Sequence, residues 1–196
     1  MKIYEAFEVL KQYENQNINE ILYKENIFNK GNFGHSIEKL LNLKQGSHHL
    51  DFEDGELKTA TISNTGFIKE DFKIAKKWDK HYLIQKMTNN LVVVRDLNNT
   101  IISVQLIDFL SHPVYRKYFD IELEKIISNI STISQKDTVI WIAKTNDTGN
   151  KKINDRALYL SRAFASYILG FGFGKATKGK QIQLEVLSHE QASSRN

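Results

Sequence analysis

Residues 50–62 read LDFEDGELKTATI, in which Asp54-Gly55 separates two short runs. Asp-Gly between short runs is typical of a tight two-residue turn, which joins antiparallel strands. The stretch therefore predicts a hairpin, with its first strand near residues 50–53 and its second over residues 56–62.

The second predicted strand carries an acidic and a basic residue two positions apart. Because side chains alternate along a strand, Glu56 and Lys58 are expected on one face while Leu57 points into the core. Asp51, from the preceding strand, is expected to converge on the same face. Two carboxylates suit a hard cation such as Mg²⁺, and a nearby ammonium completes the groups that metal-dependent phosphodiester hydrolysis needs. An exposed hairpin with solvated charges fits the same spacing, so spacing alone leaves both interpretations open.

The segments on either side predict helices before this stretch and a further hairpin after it. Residues 1–23 have apolar positions at helical spacing with one interruption, which predicts two short helices. Residues 33–41 carry the apolar stripe of an amphipathic helix. Residues 91–95 and 101–107 predict a second hairpin around Asn98-Asn99.

The last part of the chain mixes strands with helices. Residues 119–133 predict a long helix and residues 139–143 a buried strand. Residues 157–160 predict a strand that feeds a helix through Leu169, with Ser161 as its N-cap. Residues 181–187 alternate as a strand does. Since strict βαβ alternation is missing, the sequence predicts a mixed α/β fold rather than a doubly wound parallel sheet.

The composition is that of an ordinary globular protein. The chain has 196 residues, 41% of them hydrophobic and 26% charged, which excludes a disordered or collagen-like chain. It has no cysteine, so disulfides, thiol catalysis and cysteine-ligated metal sites are excluded. We expect no membrane segment and a cytoplasmic location, because no apolar run approaches a membrane span and no signal peptide is recognisable. The net charge of +4 permits an acidic partner without identifying it.

Three patches of the sequence resemble the MutH family of endonucleases. The first reads KGNFGHSIE over residues 30–38 and continues as DF at residues 51–52 and GELKT at residues 55–59. The second, QK ahead of LVVV, lies within residues 85–94, and the third reads RALYLSRAFASYIL over residues 156–169. The family joins a nicking enzyme of mismatch repair to type II restriction endonucleases that cut GATC.

The resemblance implies roles for residues in the first two patches. Asp51 and Glu56 match the family's metal ligands, which implies Mg²⁺ as the cofactor, and Lys58 matches its catalytic lysine. Glu38 matches a further carboxylate near the metal. Lys86 matches an auxiliary cation near the scissile phosphate.

One departure from the family leaves an alternative open. The family's aspartate stands further from its Glu-x-Lys pair than Asp51 does here, so Asp54 competes as the first metal ligand. Asp51 is preferred, because Asp51-Phe52 matches the family's dipeptide while Asp54-Gly55 suits a turn.

The resemblance also implies which residues meet DNA. Tyr159 matches the position that approaches the target adenine and senses its methylation. The segment around Lys144 matches the family's base-reading loop poorly, and a solvated basic loop fits residues 175–180 as well as a DNA contact does. The basic residues expected to contact DNA are Arg156, Arg162, Lys144, Lys175 and Lys178.

Two other features carry little chemistry. His48 and His49 are adjacent and point to opposite sides of an extended chain, so a joint metal site is disfavoured and a phosphate contact fits better. The glycine-rich segment that begins at Gly170 lacks the Gly-Lys-Ser/Thr of a P-loop. Since it follows a helix, Gly170 is expected to end that helix in the left-handed conformation.

The sequence predicts a single endonuclease domain over residues 1–187, with a helical lobe over residues 1–29, a catalytic and DNA-reading core over residues 30–187 and a polar tail over residues 188–196. The resemblance implies a fold similar to the PD-(D/E)xK nucleases: a central mixed sheet flanked by helices, with DNA in a cleft between two lobes.

The expected function is that of a type II restriction endonuclease, a monomer or homodimer that cuts double-stranded DNA, at GATC by the resemblance, and leaves 5′-phosphates. Two alternatives stay open. One is a nicking endonuclease of mismatch repair, directed by hemimethylation and dependent on a MutL-type partner. The other is a DNA-binding module without catalytic activity.

Overall fold

The computed structural model describes residues 1–27, 33–43, 50–76, 79–128, 139–144, 156–172 and 177–193. Over these residues the chain is a mixed α/β protein with seven helices and six strands, which confirms the predicted class. None of the helices in this part of the chain has both the length and the apolar character that a membrane span needs. The helices are α1 (Ile3–Lys11), α2 (Ile18–Lys24), α3 (Phe33–Leu40), α4 (Lys80–Thr88), α5 (Pro113–Ser128), α6 (Arg162–Ile168) and α7 (Thr177–Ser193). The strands are β1 (Glu56–Thr61), β2 (Phe72–Ala75), β3 (Asn90–Arg95), β4 (Ile101–Ile107), β5 (Ile140–Lys144) and β6 (Arg156–Leu160).

The chain divides into two compact units that interleave along the sequence. The first unit consists of Met1–Glu70 and Gln85–Asp108, and the second of Asp71–Ile84 and Phe109–Asn196. The domain boundaries predicted from the sequence stay predictions.

The first unit contains a mixed sheet in the order β1-β3-β4. β3 and β4 form the second predicted hairpin, which is confirmed, and Asn99 in its turn adopts the left-handed conformation with φ of 68°. β1 pairs with β3 in parallel, and its first residue, Glu56, is the Cα partner of Asn90.

One face of this sheet packs on the three N-terminal helices. Leu57 of β1 joins Leu91 and Val93 of β3 in that apolar core. Because side chains alternate, Glu56 and Lys58 lie on the opposite face, as the sequence predicted. The helices contribute the buried apolar residues Ile3, Ala6, Leu10, Ile18, Ile21, Leu22, Phe33 and Ile37.

The predicted hairpin at Asp54-Gly55 is wrong. Residues 51–54 form bends instead of a strand, and β1 takes β3 as its neighbour. Asp54 Oδ1 accepts the N–H of Ile3, at the start of α1, at 2.8 Å. Gly55 does not adopt a positive φ, and a Cβ on it would lie only 2.7 Å from the main-chain oxygen of Asn89. The dipeptide therefore serves close packing between α1 and the start of β3, not a turn.

The second unit contains an antiparallel sheet in the order β2-β6-β5. The strand predicted over residues 139–143 is confirmed as β5. Glu122 of α5 is buried, and its Oε2 accepts the N–H groups of Val139 at 2.6 Å and Ile140 at 3.0 Å. These bonds tie α5 to the start of β5. The predicted long helix is confirmed as far as Ser128, and the rest of it lies outside the described residues.

The predicted strand–helix element is confirmed as β6 and α6. Ser161 occupies the N-cap position, but its side chain makes no capping hydrogen bond. At the other end, Gly170 has a φ of 85°, as predicted. Its N–H donates to Tyr167, and the N–H of Phe171 donates to Ser166. This is a Schellman motif, which satisfies the last carbonyl groups of the helix.

Helix α7 corrects the strand predicted over residues 181–187. The chain is helical as far as Ser193, so the predicted polar tail is helical over most of its length. Ile182 and Val186 are buried, whereas Leu184 between them is 70% exposed. Burial thus repeats every four residues, and the apolar residues at these three positions had matched a period of two as well.

Alanine substitutions at Ile182 and Leu184 test this helical register. Ile182→Ala is expected to lower the free energy of unfolding by about 2–4 kcal/mol, because it empties a fully buried position. Leu184→Ala is expected to change it by less than about 0.5 kcal/mol, because that side chain is largely exposed. Urea unfolding of the three proteins measures both values, and equal losses at the two positions would instead indicate the period of a strand.

Candidate active site

Glu56 is the centre of a charged cluster in the first unit. It occupies the first position of β1 and is only 3% exposed. Its Oε2 accepts a hydrogen bond from Nζ of Lys58 at 2.9 Å, and its Oε1 accepts one from Nζ of Lys86. A buried carboxylate needs its charge paired, and here each oxygen has its own ammonium group.

The two lysines reach Glu56 from different elements. Lys58 lies two residues along β1, on the face that the alternation predicted. Lys86 comes from the last turn of α4. The side chains of Lys58 and Lys86 are 12% and 9% exposed, so water screens both ion pairs weakly. Removing one member of such a group is costly even where the intact pairs add little net stability.

Asp51 joins the cluster from the bends before β1. Its Oδ2 accepts the N–H of Leu57 at 3.0 Å. The residue as a whole is exposed, but protein atoms crowd its carboxylate, and this local burial raises the pKa of Asp51. The negative charge of Glu56 raises that pKa further, while the N–H of Leu57 and the charges of Lys58 and Lys86 act in the opposite direction. The carboxylate of Asp51 is therefore close enough to Glu56, Lys58 and Lys86 for their charges to shift its pKa.

Asp54, the competing candidate, lies elsewhere. Its carboxylate accepts the N–H of Ile3, and its main-chain oxygen accepts Nδ2 of Asn89 at 2.9 Å. Of the two aspartates that the sequence left open, the structure brings Asp51 to Glu56.

Glu38 stands apart from this arrangement. It lies on α3, which packs against β1, and it is half-buried. Within the described ranges, no three His, Asp or Glu side chains are grouped so that they hold a metal ion together. Glu38 thus does not form a three-carboxylate site with Asp51 and Glu56, and its role near the metal stays a prediction.

The predicted DNA-contacting residues belong to the second unit. Tyr159 is half-buried on β6, the central strand of the antiparallel sheet. Arg156 and Lys144 are Cα partners in the β5–β6 ladder. Arg162 is exposed at the start of α6, where its main-chain N–H donates to Oδ1 of Asp71 at 2.7 Å.

Other predicted contacts fall partly or wholly outside the described residues. Lys178 lies in α7. Lys175, His48 and His49 lie outside the part of the chain that the structure describes. For all of these residues, the DNA-binding role stays a prediction.

Asn90 is a polar residue of this site that the sequence reasoning missed. It begins β3, is 1% exposed and pairs with Glu56 in the parallel ladder. Among the described residues, neither its Nδ2 nor its Oδ1 has a hydrogen-bond partner. The available signal was a pair of asparagines, Asn89 and Asn90, in front of the apolar run Leu91–Val94, which reads as the end of a loop in the sequence alone.

The donors present fit Mg²⁺ in chemistry. Asp51 and Glu56 offer hard carboxylate oxygens, and the effect of one charge on the other's pKa shows that the two acids repel each other. A divalent cation relieves that repulsion. Mg²⁺ commonly takes one or two carboxylates and keeps several waters, so two acids are sufficient. A cation at Glu56 competes with the ammonium groups that its oxygens now hold.

No protein-family model matches the chain, and no curated protein gives a significant match to it.

A pair of Glu→Gln substitutions tests how strongly the cluster is coupled. Glu56→Gln is expected to lower the free energy of unfolding by about 3 kcal/mol, since it leaves two poorly screened ammonium groups without their anion. Glu53→Gln is the matched control, because Glu53 is an exposed partner of the chain's amino group and is expected to matter little. Urea unfolding measures both variants. Similar midpoints for the two would contradict the pairing described for Glu56.

Proposed function

We propose that this chain is a magnesium-dependent endonuclease that cleaves double-stranded DNA. The observation that carries the proposal is the cluster of Asp51, Glu56 and Lys58, to which α4 adds Lys86. Two carboxylates supply ligands for a hard cation, and two ammonium groups supply positive charge for a phosphate. The resemblance of the same residues to the MutH family supports the same function.

In the proposed reaction, Asp51 and Glu56 are the residues that hold Mg²⁺ beside the scissile phosphate. When bound, Mg²⁺ supplies Lewis-acid charge and lowers the pKa of a coordinated water. The N–H of Leu57 fixes one oxygen of Asp51, so β1 itself orients that ligand. Glu56 is fixed by its buried position at the start of the same strand. Both acids are thus positioned before any substrate arrives.

The two lysines act on the anionic part of the reaction. Lys58, the more exposed of the two, orients the attacking water and stabilises negative charge as it develops on the phosphate. Lys86 keeps Glu56 fixed and adds a second positive charge. The water oxygen forms a bond to phosphorus while the bond to the 3′ oxygen breaks. The attacking water loses a proton to the solvent, the departing 3′ oxygen takes one from the solvent, and the products are a 5′-phosphate and a 3′-hydroxyl.

The finer assignment is a type II restriction endonuclease of the PD-(D/E)xK class that recognises GATC. The support from this chain is an edge strand of a small mixed sheet that begins with Glu-x-Lys, together with basic and aromatic residues on the second unit. The recognition sequence and the DNA cleft follow from the resemblance and stay predictions. Cutting both strands of a symmetric site requires a two-fold dimer or sequential nicks by a monomer.

Substitutions at Asp51 and Lys58 test the proposed chemistry. Asp51→Asn and Lys58→Ala are each expected to slow Mg²⁺-dependent cleavage by about 100-fold or more, because each removes a group that acts on the reacting charges. The measurement is the initial rate of cleavage of a supercoiled plasmid whose GATC sites are unmethylated, with EDTA as the metal-free reference. DNA binding in Ca²⁺ is expected to remain close to that of the unaltered protein.

Asp54→Asn is the matched control, because asparagine keeps an oxygen that accepts the N–H of Ile3. This variant is expected to cleave at nearly the original rate. Binding without cleavage by the unaltered protein would contradict the proposal and favour a non-catalytic DNA-binding module. Full cleavage activity of Lys58→Ala would contradict the catalytic role proposed for Lys58.

The same digest separates restriction from repair. Linear fragments cut at GATC without a helper protein support restriction. Nicked circles that form only on hemimethylated DNA, and more rapidly with a MutL-type partner, support the mismatch-repair alternative instead.

A further inference from the structure

Asn90 is out of place in the strand that carries it. It is 1% exposed, and the four residues that follow it, 91–94, are apolar and fully buried. Its amide nonetheless has no hydrogen-bond partner among the described residues. An amide buried without a partner costs stability, and an apolar residue of the same shape at such a position is neutral or better. Packing therefore gives no reason for an asparagine at this position.

The register of the sheet places Asn90 beside the charged cluster. It is the Cα partner of Glu56 in the parallel ladder, so the two side chains lie on the same face of neighbouring strands. The side chain of Lys58 lies on the same face, two residues further along β1. The amide of Asn90 thus lies next to the carboxylate that is proposed to hold Mg²⁺.

The charged cluster lacks a neutral hydrogen-bond acceptor, which the side-chain oxygen of an asparagine provides. Waters bound to a divalent cation are hydrogen-bond donors and need acceptors around them. Lys58 and Lys86 are ammonium groups, which only donate. The oxygens of Asp51 and Glu56 are the proposed metal ligands, whereas Oδ1 of Asn90 is a neutral acceptor in the same place.

We propose that Asn90 is a positioning residue of this site, whose Oδ1 accepts a hydrogen bond from a water bound to the cation. The inference rests on the proposed function and deepens it. Its Nδ2 is left to donate to an oxygen of Glu56 or of the phosphate. Residues that hold the waters and ligands around a metal typically change metal affinity by about 10-fold to 100-fold when they are replaced.

Asn90→Leu tests this role, because leucine has the same branching and the same number of side-chain heavy atoms as asparagine and neither donor nor acceptor. Mn²⁺ is titrated into the metal-free protein, and the free ion is counted by its electron paramagnetic resonance signal. We expect the variant to bind Mn²⁺ about 10-fold more weakly and to need correspondingly more Mg²⁺ for plasmid cleavage. Its urea midpoint is expected to be equal to that of the unaltered protein or higher, since the unpaired amide is gone.

Asn90→Asp is the matched control, because it keeps an acceptor oxygen at the same position. It is expected to bind Mn²⁺ at least as tightly as the unaltered protein. Loss of stability together with Mn²⁺ affinity in Asn90→Leu would assign Asn90 a purely structural role and overturn the inference.

The outcomes also distinguish this inference from the function on which it rests. If the unaltered protein binds Mn²⁺ and cleaves DNA while Asn90→Leu binds Mn²⁺ equally well, only the role of Asn90 is overturned. If the unaltered protein neither binds Mn²⁺ nor cleaves DNA, the proposed function fails and the inference fails with it.

Discussion

The first unit depends on pairing the carboxylate of Glu56 in a place that water barely reaches. One ammonium group on each of its oxygens meets that requirement, with Lys58 from the same strand and Lys86 from α4. With Asp51 the cluster contains two acidic and two basic side chains, so its formal charge balances. Because its charges balance, the cluster attracts a free divalent cation only weakly. An incoming phosphate supplies the negative charge that the cluster lacks and so strengthens the binding of the cation. In the proposed enzyme, cation and DNA therefore support each other's binding.

The position of Asp51 depends on contacts that are distant in sequence. The bends before β1 are held by the N–H of Ile3, at the start of α1, and by the amide of Asn89, just before β3. Both of these groups bind Asp54, three residues after the acid that they help to place. An N-terminal helix and the start of the central strand thus position a proposed metal ligand without touching it. This arrangement replaces the turn that the Asp-Gly dipeptide predicted.

Sequence reasoning succeeded where the deciding contacts are local. Alternation along β1 placed Glu56 and Lys58 on one face and Leu57 in the core, and the β3–β4 hairpin and the N-terminal helices also follow local patterns. It failed where the contacts are remote. Gly55 packs on Asn89, which is close in space but far along the chain, and no local pattern reveals this.

The prediction of a strand at the position of the C-terminal helix failed for a different reason. Its apolar residues fit periods of two and four equally well, and only burial in the second unit distinguishes Ile182 from Leu184. Within the candidate site, the sequence identified Asp51, Glu56, Lys58 and Lys86 as candidates. It preferred Asp51 but left Asp54 open, and it gave no weight to Asn90, because the positions of these residues depend on contacts with distant strands and helices.

The location of a bound metal ion tests the central claim most directly. Crystals grown with Mn²⁺ and a DNA duplex are expected to show one anomalous peak at about 2.1 Å from a carboxylate oxygen of Asp51 and from one of Glu56, with at least one lysine moved away from Glu56. The claim would be contradicted by crystals in which both lysines are still hydrogen-bonded to Glu56 and no anomalous peak lies between Asp51 and Glu56.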